Sequence, residues 1–92
     1  MPIRILIPTP LRAYTNKVDT VEVKAATVGD AITALTSQFS ALRKHLYNDE
    51  GRLRSFVNVY LNDEDIRFLQ KDQTQVNDGD VISIVPSIAG GR

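Results

Sequence analysis

The sequence has no cysteine and no tryptophan, and its 11 basic residues are matched by 11 acidic ones. Without a thiol there is no disulfide framework, no thiolate nucleophile and no cysteine-based metal site. A formal net charge of +0 gives no overall electrostatic footprint for nucleic acid or an anionic membrane. No apolar run approaches the ~20 residues of a membrane span. The opening stretch, MPIRILIPTP, lacks a basic region followed by a long apolar run and a small-residue cleavage site. No signal peptide is therefore expected, and the cytoplasm is the expected compartment. No internal repeat, linker or low-complexity tract divides the 92 residues, a length suited to one domain.

What is present alternates between strand and helix patterns. Ile3, Ile5 and Ile7 share one face of a first strand, which the prolines of PTP at 8–10 stop, since proline cannot donate to a ladder. A longer turn, Leu11 to Asp19, leads to a strand over Thr20 to Lys24 with Val21 and Val23 inward. Thr27 has the chemistry of an N-cap, with Asp30 three residues on. Val28, Ala31, Ile32, Leu35 and Phe39 follow at helical spacing. Ser40 to Leu46 reads as a further short helical turn, broken by NDEG at 48–51. Phe56 to Leu61 alternates with Val57, Val59 and Leu61 as the buried set. The corner at 62–65 then leads to a short strand over Ile66 to Phe68, and NDGD at 77–80 to a last strand over Val81 to Val85. One helix packed across a mixed four- to five-stranded sheet makes a two-layer α+β domain. With first and last strands adjacent at the sheet centre, the arrangement is the ubiquitin-like β-grasp. Residues 1–86 form the expected domain, and 87–92 a flexible diglycine tail.

The usual catalytic signatures are missing. His45 lies among basic residues in LRKHLY and is expected to be a solvated surface side chain, with no evident nucleophile or metal co-ligand. Asp63, Glu64 and Asp65 fit a hairpin corner, since the calcium-loop pattern with its central glycine and terminal glutamate is lacking. Gly79, Gly90 and Gly91 make no phosphate-cradling loop. By this reading the domain is not an enzyme by itself and binds no metal or cofactor of its own. The remaining feature is the terminal SIAGGR. Glycine obstructs least and bends most freely, which suits a chain end threaded through a narrow channel. The one reactive group such an end offers is its α-carboxylate, a poor electrophile until a nucleotide activates it.

IPTPLRAYT (7–15), FVNVYLNDEDIRF (56–68) and DGDVISIVPSIAGG (78–91) resemble the MoaD/ThiS family of ubiquitin-like sulfur carriers, in particular its branch serving cysteine biosynthesis. The resemblance covers nearly the whole chain. It implies that Gly91 is adenylated by an E1-like enzyme using ATP. Sulfur from a rhodanese or persulfide donor then turns it into a thiocarboxylate. It further implies a pyridoxal-phosphate cysteine synthase as acceptor and a JAMM-type metalloprotease that releases the product. Ala89 and Gly90 would occupy the partner's channel, and Leu6, Arg12, Tyr60 and Val85 would contact partners. Arg92 departs from the pattern. It is expected either to be removed by a peptidase or to be foreign to the native chain. Molybdopterin or thiamine synthesis, tRNA thiolation, conjugation to lysines as a protein modifier, and a purely non-covalent binding module are the alternatives.

Overall fold

The computed structural model describes residues 2–86. Strand β1 (Ile3–Leu6) is followed by a 3-10 helix (Thr9–Tyr14), β2 (Thr20–Val23) and helix α1 (Val28–Gln38). A short 3-10 turn (Ser40–Leu42) leads into α2 (Arg43–Leu46). Then come β3 (Val57–Leu61), β4 (Glu64–Asp65), two 3-10 turns (Ile66–Phe68 and Lys71–Gln73) and β5 (Val81–Pro86). Helix α1 starts where the cap places it: Thr27 is extended, and its side-chain oxygen accepts from the Asp30 N–H at 3.1 Å. The loop after α2 is closed by Asn48, whose Oδ1 accepts from the N–H groups of Glu50 and Arg52 at 2.9 and 3.1 Å.

The five strands form one mixed sheet in the order β2-β1-β5-β3-β4. β1 and β5 are parallel, with Ile5 opposite Ile82, and every other pairing is antiparallel. Alternation puts Ile3, Ile5, Val21, Val23, Val57, Val59, Leu61, Ile82 and Ile84 on the helix side, all buried. Val28, Ala31, Ile32 and Leu35 of α1 close over them, and Leu42 and Leu46 extend the same core. At the usual ~25 cal/mol per Å² of apolar surface removed from water, this single layer is what holds the fold together. The chain is thus a ubiquitin-like β-grasp, as the strand and helix patterns predict.

Three local expectations are corrected. The stretch Leu11 to Asp19 is not a plain turn, because the 3-10 helix Thr9–Tyr14 occupies its first half. Thr15 is buried there, its hydroxyl donating to the Val18 carbonyl at 2.8 Å. The short strand is Glu64–Asp65, and Ile66–Phe68 is a 3-10 turn. Asp65 caps that turn by accepting from the Arg67 N–H at 2.9 Å, which diverts the backbone from the ladder. His45 is not a freely solvated side chain. It is half-buried, stacked on Tyr14 with ring centroids 4.1 Å apart, and its Nε2 is buried with no hydrogen-bond partner among the described residues.

Candidate docking face and tail exit

The register of the ladders fixes what the sheet shows on the side away from α1. Leu6 lies opposite Thr20 on one side and Ser83 on the other, Ser83 opposite Tyr60, and Tyr60 opposite Asp65. One row therefore crosses all five strands, with Leu6 and Tyr60 flanking the small Ser83. Val85, opposite Asn58, lies one step nearer the end of β5. Leu6 is 39% and Val85 45% exposed, unusual for large apolar side chains in strands, while Tyr60 is half-buried.

The row ends in a charged clamp at β4. Arg67 donates to Asp65 through Nε and Nη2, the latter at 2.7 Å to Oδ2. These side-chain bonds, helped by the Arg67 backbone N–H, hold the Asp65 carboxyl below its usual range. Its acceptor capacity is thereby turned inward, consistent with a structural corner. Among the described residues no group of three or more His, Asp or Glu could hold a metal ion.

Arg12 stands apart from this row. It belongs to the Thr9–Tyr14 helix and is half-buried, and its Nε donates to the Ile7 carbonyl at 3.0 Å. That bond pins the guanidinium at the end of β1, the same end of the sheet at which β5 finishes. Leu6, Tyr60 and Val85 are thus brought together on one face, with Arg12 at its upper corner. Ala89, Gly90, Gly91 and Arg92 lie outside the described residues. The last described residue is Pro86, at the end of the central strand, opposite Val57. Ser83 escaped sequence reasoning; alternation in VISIVP pointed it outward, but only the register showed it as the low centre of the apolar row.

The ThiS family model matches residues 5–91, which includes both terminal glycines. Sulfur carrier protein CysO of Mycobacterium tuberculosis is 38% identical over 93 residues, covering 99% of this chain and all of that protein. The crystal structure of the Amycolatopsis orientalis BexX/CysO complex contains a chain that matches with a TM-score of 0.87 and 40% identity, over 97% of this chain and 99% of that one. The small archaeal modifier SAMP1 of Haloferax volcanii matches with a TM-score of 0.86 and 28% identity, over 99% and 100% of the two chains. The chain belongs to the ThiS family of small ubiquitin-like sulfur carriers and modifiers. Members of this class are carriers rather than enzymes. Among the described residues, no helix is long and apolar enough to cross a membrane.

Proposed function

We propose that this protein carries sulfur on its C-terminal glycine, as a thiocarboxylate, for cysteine biosynthesis. The end-to-end 38% identity to a CysO sulfur carrier, with the family match running through Gly91, is the observation that carries this reading. In the first step the Gly91 carboxylate attacks the α-phosphorus of ATP on an E1-like partner, giving an acyl-adenylate and releasing pyrophosphate. Sulfide delivered by a sulfur donor then attacks the carbonyl carbon, and AMP leaves with the C–O bond pair. The product is a thiocarboxylate whose sulfur takes the place of the leaving group on Cβ of an activated serine derivative held by a pyridoxal-phosphate cysteine synthase. The resulting thioester passes its acyl group from sulfur to the new amino acid's nitrogen, giving an amide. A metalloprotease of the JAMM type frees the cysteine. Ala89 and Gly90 thread the partner's channel, and Arg92 is removed before Gly91 can react. The body's share is delivery: Leu6, Tyr60 and Val85 dock an apolar partner surface, and Arg12 adds a charged contact at the edge. The absence of cysteine fits this use, because no thiol of the carrier can trap the activated acyl group.

Protein ending at Gly91, incubated with the E1-like enzyme of its own organism, ATP and sulfide, should gain the mass of one sulfur in place of one oxygen. Gly91→Ala should lose the gain while the amide resonances of residues 2–86 stay where they are in the wild type. No gain in the wild-type chain would overturn the reading. The likeness to archaeal modifiers favours one second reading, conjugation to lysine. Its signature is a branched tryptic peptide in which residues 72–91, the stretch after Lys71, are joined through Gly91 to a substrate lysine.

A further inference from the structure

The end of the molecule at which β5 finishes has two unlike sides. On the open side lie Leu6 and Val85. On the helix side is a groove of about 390 Å³ lined by Leu11, Lys44, His45, Arg54, Phe56 and Pro86. Leu11, Phe56 and Pro86 make it apolar, and Phe56 is 40% exposed. Its fixed charges have one sign, because Lys44 and Arg54 line it and no acid does. Arg54 is posed rather than loose. Its Nε donates to the Lys44 carbonyl at 2.9 Å, and its terminal nitrogens have no partner among the described residues. The buried, unpartnered His45 Nε2 belongs to the same wall.

The balancing acids are elsewhere. β1 and β5 run parallel and β3 antiparallel to them, so the turns at 62–64 and 77–80 lie at the opposite end of the strands. Those turns carry Asp63, Glu64, Asp78 and Asp80. Asp19, the acid nearest the tail end in the sheet, precedes edge strand β2, two strands away from β5. Four of the 11 acids thus lie at the far end of the strands and Asp49 and Glu50 in the loop between Lys44 and Arg54, while none of the 11 lines the groove at the root of the tail.

We propose that this groove is a second docking surface, and that it receives an acidic segment of the protein that takes the tail. Pro86 is both a wall of the groove and the last residue before the tail, so any partner that holds the tail passes across it. The terminal nitrogens of an arginine whose Nε is already fixed suit a carboxylate, which accepts two parallel N–H bonds. Lys44 supplies a second point charge, and the apolar floor takes an aliphatic side chain beside the acids. A neutral or basic lip over the same groove would strip water from Lys44 and Arg54 without replacing it, a costly arrangement. The partner's channel mouth is thus apolar where it meets Leu6 and Val85 and acidic where it meets Lys44 and Arg54. Which partner this is rests on the carrier reading; the groove's preference for acids does not.

The test uses the full, isotope-labelled chain and two capped peptides, EELEE and QQLQQ. EELEE should produce saturable amide shifts centred on Lys44, His45, Arg54 and Phe56, weakening as salt is raised. QQLQQ should produce none. Lys44→Gln combined with Arg54→Gln should remove the saturable response, and Lys44→Gln alone should reduce it while leaving the unliganded spectrum native. Shifts that are absent, equal for both peptides, or centred on another basic region would overturn the proposal. So would shifts of the same groove residues with protein concentration alone, which would assign the groove to the acidic end of a second copy. Neither result depends on whether Gly91 takes up sulfur, so failure here is distinct from failure of the carrier reading.

Discussion

Two side chains with short-range duties show how much local chemistry the sequence spells out. Thr27 is readable as a cap because Thr-x-x-Asp precedes an apolar helical stripe, and its hydroxyl does accept the Asp30 N–H. Thr27→Ala should lower stability by about 1 kcal/mol, read as a drop in urea midpoint at constant slope. The Asp65–Arg67 pair is invisible to such patterns, since two residues apart in sequence says nothing about side-chain approach once the strand breaks. Because Arg67 holds the Asp65 carboxyl below its unfolded-state value, the pair's contribution is complete above the ordinary carboxylate range. It is lost as the pH falls from about 4 through the lower native value. Urea midpoints measured from pH 6 to pH 2 should fall more steeply in wild type than in Arg67→Met. The environment of His45 is hidden from the sequence for a related reason: its stacking partner, Tyr14, comes from a distant segment whose helical form has no periodic signature.

The strands and main helix were legible because each buries one face, so period 2 and period 3.6 are written directly into β1, β2, β3, β5 and α1. The β3–β4 hairpin is harder to place, because Ile66-Arg67-Phe68 alternates like a strand whereas the turn chemistry lies earlier. Asn62 and Asp63 adopt φ of 50° and 72°, the left-handed pair that suits a two-residue hairpin, so β4 begins at Glu64. Asn62 also ties this hairpin to the start of β5. Its Oδ1 accepts from the Val81 N–H and its Nδ2 donates to Asp80 Oδ1, both at 3.0 Å. Asn62→Ala loses both bonds and puts a poorly suited residue in the left-handed region, so it should cost about 2–3 kcal/mol. Thermal unfolding of Asn62→Ala beside Asn62→Gly separates the two causes, because glycine restores the backbone and not the bonds. Leu35→Ala, in the middle of the α1 face, should cost about 2–5 kcal/mol by the same measurement.

The molecule as a whole divides its labour by face and by end. Helix-side residues form the core, while Leu6, Ser83, Tyr60 and Val85 lie half-buried or exposed on the opposite face. Leu6→Asp and Val85→Asp remove partly buried apolar surface from interior strands and put in a residue that strands disfavour, so each should cost about 1–2 kcal/mol and still leave the fold intact. Both should slow sulfur loading of the wild-type tail in the coupled assay with the E1-like enzyme, and equal loading rates would remove the open face from the docking role. The face was foreseeable from alternation, but its extent was not, because register depends on long-range pairing that one sequence does not display. The central place of β5 has a mechanical consequence. A pull applied beyond Pro86 runs along a strand gripped by β1 on one side and β3 on the other. Traction therefore loads both ladders in shear, many hydrogen bonds at once, rather than unzipping an edge one bond at a time.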